Sequence, residues 1–274
     1  MSPFFLFFMF AASCHYKKMQ LIDSHTHLYL SEFDDDRDEI ISRALNCNVT
    51  KMLLPNINKD SVGPLLRMVS NYPGICYPMI GIHPASIRDD YNEQLEAVNN
   101  NLGKHKFIAI GEIGIDLYWD KTYIREQETA FKEQVKIAGR ENLPVVIHSR
   151  ESLEKILTLL DATGLHDLRG VFHAFTGSIE QAHEIISRGF LIGIGGILTF
   201  KNSDLDKTLE SIDLGKIILE TDSPYLAPVP KRGKRNESSY IRFIAEKLGE
   251  IKNLPVEEIA RITTSNCINL FNLD

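Results

Sequence analysis

LIDSHTHLYL, residues 21–30, opens on an apolar pair that reads as a strand and then sets His25 and His27 one residue apart at its end. In extended backbone alternate side chains share a face, so both imidazoles can point at one central ion. The same order, strand and then chemistry, recurs along the chain. Short β-rich apolar runs at 20–23, 51–54, 76–80, 107–110, 145–147, 170–172, 190–194 and 216–219 predict eight strands, with amphipathic segments between them. One such segment, REQETAFKEQVKIAGREN at 125–142, spaces Phe131, Val135 and Ala138 three and four residues apart, as a packing helix requires. The tail from 237 to 271 reads as two more helices divided near Asn253-Leu254-Pro255. Strands alternating with helices predict an α/β fold with a parallel sheet, and eight repeats over this length predict a (β/α)8 TIM barrel. Active sites of such barrels lie at the C-terminal ends of the strands.

The chain has 274 residues, 43% hydrophobic and 24% charged, which is an ordinary globular composition with no low-complexity tract. No linker rich in Pro, Gly or Ser divides it, so residues 19–274 are expected to form one domain. A formal net charge of −7 argues against coating nucleic acid through bulk positive charge and leaves room for a local basic patch. Cys14, Cys47, Cys76 and Cys267 lie far apart without a CxxC pair, so neither a disulfide framework nor a thiolate zinc site is indicated. A cytoplasmic setting, no membrane association and no obligate protein partner are the expectations. The apolar start MSPFFLFFMFAASC suggests a signal peptide and AASC a lipidation site, yet a positively charged leader is missing. It is also short of the roughly 20 apolar residues that span a bilayer. Met19 stands directly before the first strand, so residues 1–18 read more simply as an extension upstream of the true start.

Collecting the strand ends gives DSHTH (23–27), GIHP (81–84), GEIGID (111–116), IHSR (147–150), FHAF (172–175) and ETDSP (220–224). A single histidine of this kind is more often a satisfied core or surface residue than a ligand. Six candidates at strand ends, His25, His27, Glu112, His148, His173 and Asp222, are a different matter. They exceed the three or four protein ligands of one catalytic zinc, which points to a pair of divalent ions sharing a bridging group. Glu112 is the candidate bridge, because a carboxylate offers two oxygens where imidazole offers one lone pair. Histidine-rich ligation favours zinc, manganese or cobalt-type ions over magnesium.

LIDSHTHL (21–28), GEIGIDLYWD (111–120), HAFTGS (173–178) and LETDSPYLAPVPKRGKRNE (219–237) resemble the signatures of TatD-type metal-dependent deoxyribonucleases, in the wider metal-dependent hydrolase superfamily. The similarity runs from Met19 onward. It implies that His25, His27, Glu112 and Asp222 hold one metal while Glu112, His148 and His173 hold the other, and that magnesium also supports activity. It further implies a nucleic-acid substrate, with exonuclease action on single-stranded DNA ends. Two positions depart from the family pattern: Tyr29 stands where Asp or Asn commonly follows HxHL, and Ser238 where Pro is frequent. Neither removes an implied ligand, and Tyr29 is expected to change the surroundings of the metal or the substrate entrance.

Phosphodiester hydrolysis needs a nucleophile at neutral pH and neutralisation of charge on phosphate, and paired metals provide both by lowering the pKa of a bridging water from about 16 to about 7. Asp222 is the candidate proton acceptor. KRGKR, Lys231 to Arg235, concentrates positive charge in an acidic chain, so Arg232 and Arg235 are candidate phosphate contacts; the plain alternative is a solvated loop. His83 and Arg150 stand at strand ends where either could meet phosphate, and His83 could equally be structural. Tyr118 and Trp119 could stack a terminal base or pack as a lid. Asp116 and Glu220 are candidates for orienting ligand histidines. Two rivals remain: the same site acting on a lactone, phosphotriester, amide or aminoacyl ester, and a non-catalytic barrel kept for interactions.

Overall fold

Parallel strands need long crossovers, and here each apolar run is followed by a segment able to wind into a helix and return the chain to the starting end. The computed structural model describes residues 19–165 and 167–274, so the expected extension at 1–18, Cys14 included, lies outside the described residues. The element order is β1 (Leu21–Asp23), α1 (Arg37–Asn46), β2 (Val49–Leu54), α2 (Val62–Asn71), β3 (Cys76–Pro78), α3 (Tyr91–Leu102), β4 (Ile110–Asp116), α4 (Ile124–Glu141) and β5 (Val145–Arg150). It continues through α5 (Leu153–Thr163), β6 (Gly170–Phe172), α6 (Ile179–Ser187), β7 (Leu191–Ile194), α7 (Leu205–Ser211), β8 (Ile217–Leu219), α8 (Ile241–Lys252) and α9 (Val256–Phe271).

All pairings are parallel, in the orders β1-β2-β3 and β4-β5-β6-β7-β8. Single parallel bridges close the ring at its two seams, Ile80 to Ile110 between β3 and β4 and Thr26 to Ser223 beyond β1 and β8. The second seam also carries the Ser24 N–H to the Leu219 carbonyl at 3.1 Å and the His27 N–H to the Ser223 carbonyl at 2.8 Å. The fold is therefore the (β/α)8 barrel. Among the described residues no helix is long and apolar enough to cross a membrane.

The core has two shells. One lies between strands and helices and includes Leu21, Met52, Leu54, Ile113, Ile115, Val145, Ile147 and Phe172. The other fills the barrel with Ile22, Leu53, Met79, Ala109, Val146, Val171 and Ile218, closed from below by Cys267, Leu270, Phe271 and Leu273 of α9 and its end. Alternation then places the functional groups: two residues beyond Val146, Val171 and Ile218, on the same inward face, stand His148, His173 and Glu220. An apolar plug fills the lower half of the barrel and its polar groups stand directly above.

The fourth strand departs from expectation. The run 107–110 meets β4 only at Ile110, and GEIGID, read above as a strand end, is the strand itself. Its two glycines and two carboxylates have poor strand propensity, so the stretch reads as loop. Pairing with β5 overrides this. Gly114 has φ +152, and a Cβ there would collide with the His148 carbonyl oxygen, so glycine is what lets β4 lie against β5 at the level of the site.

Gly114→Ala should therefore lose roughly 2–5 kcal/mol of stability from overpacking and backbone strain together. Urea denaturation would show this against Gly164→Ala as control, where φ is +67 and a Cβ meets nothing within 4 Å. Equal losses in the two variants would mean that β4 can move aside.

Candidate metal centre

Glu112 sits in the middle of β4 with its carboxylate buried and imidazoles on both sides. Oε2 faces His25 Nε2 at 3.1 Å and His27 Nε2 at 3.8 Å. Oε1 faces His173 Nε2 at 2.6 Å, His148 Nδ1 at 2.9 Å and His83 Nε2 at 3.3 Å. Asp222 closes the first side, its Oδ1 at 3.7 Å from His25 Nε2 and 3.6 Å from His27 Nε2. The structure thus brings the other five expected ligand candidates, and His83, to the surroundings of the Glu112 carboxylate. Three overlapping groups have donor atoms within 4.8 Å of one another, as ion binding needs: His25, Glu112 and His173; His25, His27 and Asp222; His83, Glu112 and His148.

Neighbouring hydrogen bonds fix which nitrogen of each ring is free. The Tyr29 hydroxyl donates to the Pro55 carbonyl at 2.7 Å, so it accepts from His27 Nδ1 at 3.1 Å and leaves the Nε2 lone pair facing the carboxylates. The residue that departs from the family pattern is thus the one that orients His27. Asp116 does the same for His148, accepting from Nε2 at 3.0 Å and leaving Nδ1 inward. His83 is the opposite case. Its Nδ1 accepts from the Ala85 N–H at 3.0 Å, which puts the ring proton on Nε2 and makes it a donor toward Glu112 rather than a ligand. In their neutral forms His27 and His148 therefore turn lone pairs to carboxylate oxygens, acceptor against acceptor, in a buried space; at His148 burial is outweighed by the hydrogen bonds to Asp116 and Glu112, which raise the imidazole above its ordinary value. His25 Nε2, fully buried, stands 3.1 Å from Glu112 Oε2 without hydrogen-bonding geometry to it or to any other described residue. Such contacts are stable only with a positive charge between them, and this donor set fits divalent metal.

The titration behaviour carries the same message. Burial alone would push the Glu112 carboxyl up, but the imidazoles of His173, His83 and His25 outweigh it and hold the group well below the usual carboxylate range. Burial would push His173 down, yet the Glu112 carboxylate outweighs that and holds the imidazolium well above its ordinary value. A proton on His173 does here what a cation would do. Burial, with His173 alongside, lowers His25. At Asp116 burial is outweighed by the hydrogen bond from His148 and by the N–H groups of Trp119 and Tyr118, which bring its carboxyl down to about 2.

The loop after β8 is held by residues that the sequence reading did not single out. Asn236, fully buried, donates to the carbonyls of Thr221 at 2.8 Å and Tyr225 at 2.6 Å. Asp23 accepts from the Thr221 N–H at 2.9 Å and its hydroxyl at 2.6 Å, and burial pushes its carboxyl up to about 7. These bonds hold Asp222 at φ +56, an uncommon backbone conformation for a side chain at a site. Asp23 was legible only as the first letter of DSHTH.

The basic loop divides. Arg235 donates to Asp36 at 2.7 Å and to the Glu32 carbonyl at 2.5 Å and lies 4.8 Å over the Phe33 ring, which commits it to holding the loop against α1. Arg232 lies 4.4 Å over Phe200 and lines a cavity of about 630 Å³ with Lys207 and Ser203. Thr176 and Gly177 join that cavity to one of about 570 Å³ that reaches His173. Glu220 Oε1 lies 3.6 Å from His173 Nδ1 and accepts instead from the Ala174 N–H at 2.5 Å. Arg150, Tyr118 and Trp119 stand together at the rim beside His148.

The model of the TatD related DNase family matches residues 22–272. The chain belongs to this family. An uncharacterized metal-dependent hydrolase of Bacillus subtilis (strain 168), YabD, is 37% identical over 255 residues, 93% of this chain and 100% of that protein. The 3'-5' ssDNA/RNA exonuclease TatD of Salmonella typhimurium is 32% identical over 260 residues, 92% of this chain and 99% of its own length. Among solved structures, YjjV, a TatD homolog from Escherichia coli K12, superposes with a TM-score of 0.87 at 29% identity, covering 93% of this chain and 99% of that one. Like its TatD relatives, the chain is a metal-dependent hydrolase.

Tyr29→Phe removes the acceptor of His27 Nδ1 and should weaken divalent-metal binding roughly 10–100-fold. A competition titration with a zinc chelator measures this; unchanged affinity would mean that packing alone orients the ring.

Proposed function

We propose that the chain hydrolyses phosphodiester bonds of nucleic acid, as a DNase that shortens single-stranded ends, with residues 19–274 as one catalytic unit. The observation that carries this reading is the division of Glu112, one oxygen toward His25 and His27 and the other toward His148 and His173. That is the arrangement of a carboxylate shared by two cations, and paired cations suit in-line displacement at phosphate. The name of the Salmonella relative, an exonuclease on single-stranded DNA and RNA, supports the same substrate class.

In this reading His25, His27, Glu112 and Asp222 hold one divalent ion, and Glu112, His148 and His173 the other, each magnesium, manganese or zinc. When bound, the pair neutralises charge on the phosphate and acidifies an attacking water. The chain's own groups do the rest. Asp222, its carboxyl held low by His27 and His25 against the raising effect of burial, is ionised at neutral pH and can accept the proton of the attacking water at Oδ1. With Glu112 Oε1 taken up by a cation, the Nε2 proton that His83 otherwise directs to Glu112 is available to a phosphate oxygen. Arg232 meets the backbone of the strand.

The deciding experiment combines metal analysis with cleavage of end-labelled single-stranded DNA by wild type and Glu112→Ala in magnesium, manganese and zinc. Metal-dependent shortening from one end by wild type, reduced on the order of 10³-fold or more in the variant, is expected. Bound metal with DNA turnover at background, alongside turnover of an ester or lactone, would replace the nuclease reading with another bond on the same site.

The two arginines should separate in a salt series. Arg232→Ala should reduce the slope of log affinity against log salt by about one. Arg235→Ala should leave that slope unchanged and cost roughly 1–2 kcal/mol of stability instead. Equal slopes for wild type and Arg232→Ala would remove Arg232 from the substrate path.

A further inference from the structure

Trp119 is the one tryptophan of the chain and is 69% exposed, and its neighbour Tyr118 is 49% exposed. A soluble domain gains nothing in stability from presenting two adjacent aromatic rings to water, and these two are not loosely placed. Their rings meet edge to face at 4.9 Å, and the Arg150 guanidinium lies 4.1 Å over Tyr118 and 5.5 Å over Trp119. Among the described residues Arg150 pairs with these two rings and with no carboxylate. It lies on the same face of β5 as His148, two residues further toward the rim, or about 7 Å along the strand. The Tyr118 and Trp119 N–H groups donate to Asp116 Oδ1 at 2.9 and 3.1 Å, while Asp116 Oδ2 accepts from His148. One carboxylate thus fixes the aromatic pair in register with the proposed metal centre.

We propose that Trp119, Tyr118 and Arg150 form a stacking platform for an unpaired nucleobase of the substrate strand, with Arg150 also contacting the adjoining phosphate. The proposal rests on the nuclease reading for the identity of its ligand. Planar rings with a guanidinium laid over them accept any base face and give no sequence readout. A base inside a duplex has both faces covered by its neighbours, so the platform selects single-stranded ends. It acts one nucleotide away from the bond cut and therefore bears on binding more than on turnover.

Because Trp119 is the sole tryptophan, its emission reports the platform directly. Wild type in excess chelator, where strands stay uncut, is titrated with oligothymidylate, with a duplex of equal length whose ends are closed by non-nucleotide linkers, and with an abasic strand of equal length. Saturable quenching by oligothymidylate, absent with the other two, is the expected result. With metal restored, Trp119→Ala should raise KM for oligothymidylate about tenfold or more with little change in kcat, and Trp119→Phe should recover most of the loss. Equal quenching by the abasic strand would mean charge contact alone and overturn the stacking. Cleavage of DNA with no quenching, or a fall in kcat with KM unchanged, would overturn the platform and leave the nuclease reading standing. Quenching by oligothymidylate without cleavage in any metal would support the platform and overturn the nuclease reading.

Discussion

Glu112 carries a charge in the interior of a barrel, and nearly everything at the upper end of the fold answers to it. An ionised carboxylate taken out of water costs several kcal/mol unless opposite charge meets it. Here five histidine nitrogens surround the two oxygens, and the balance of burial against those rings leaves the carboxyl ionised. Yet in their neutral forms the His27 and His148 rings turn lone pairs inward, because Tyr29 and Asp116 have claimed their other nitrogens. The protein on its own meets the charge with the Nε2 proton of His83 and with imidazoles at His173 and His148 raised above their ordinary values. Divalent cations meet it better, since they satisfy lone pairs and carboxylate oxygens at once. Metal binding at such a site displaces protons, so affinity and pH are linked.

The outer groups matter because ligand rings must be aimed before an ion arrives. Tyr29 reaches from the end of LIDSHTHLY to the Pro55 carbonyl after β2, tying the first loop to the second. Asp116 ends β4 and turns His148 of β5. Asn236 and Asp23 clamp the backbone on either side of Asp222. The contacts of Tyr29, Asp116 and Asp23 cross between strands, so the same bonds help hold the ring of strands and the ring of candidate ligands. The apolar plug below, from Ile22 to Phe271, keeps water from the underside and makes the interior a place where such bonds count.

Much of this was legible in the sequence because barrel geometry turns periodicity into position. Once eight runs alternate with helices, chemistry at strand ends converges whatever the distance along the chain, and His25, His148, His173 and Asp222 could be gathered without coordinates. The β4 strand was misplaced for a physical reason: glycines that permit close approach to β5 look, in sequence, like the punctuation of a loop. The basic run KRGKR showed where positive charge concentrates but not how it divides. Arg235 belongs to Asp36 and Glu32, partners some two hundred residues away, while Arg232 three positions earlier faces a cavity. Tautomers were out of reach as well, since the direction of a ring depends on a hydroxyl, a carbonyl or an amide brought in by the fold. Two of the groups that set them were nevertheless flagged in the sequence, Asp116 as a candidate for orienting a ligand histidine and Tyr29 as a departure from pattern.

An acidic chain proposed to act on a polyanion has to solve the problem of approach locally. Net charge of −7 gives no general attraction, so the site depends on cations placed within a few ångströms of the strand and on forces that carry no charge. Stacking is such a force, and it is insensitive to the repulsion that a carboxylate-rich mouth exerts on phosphate. The shared use of Asp116 then has a consequence. The same carboxylate that turns His148 inward also positions the rim aromatics, so a base seated on Trp119 and an ion seated beside His148 favour one arrangement of one side chain. On the proposed reading, binding at either place would lower the cost of ordering the other, and such a coupling runs in both directions.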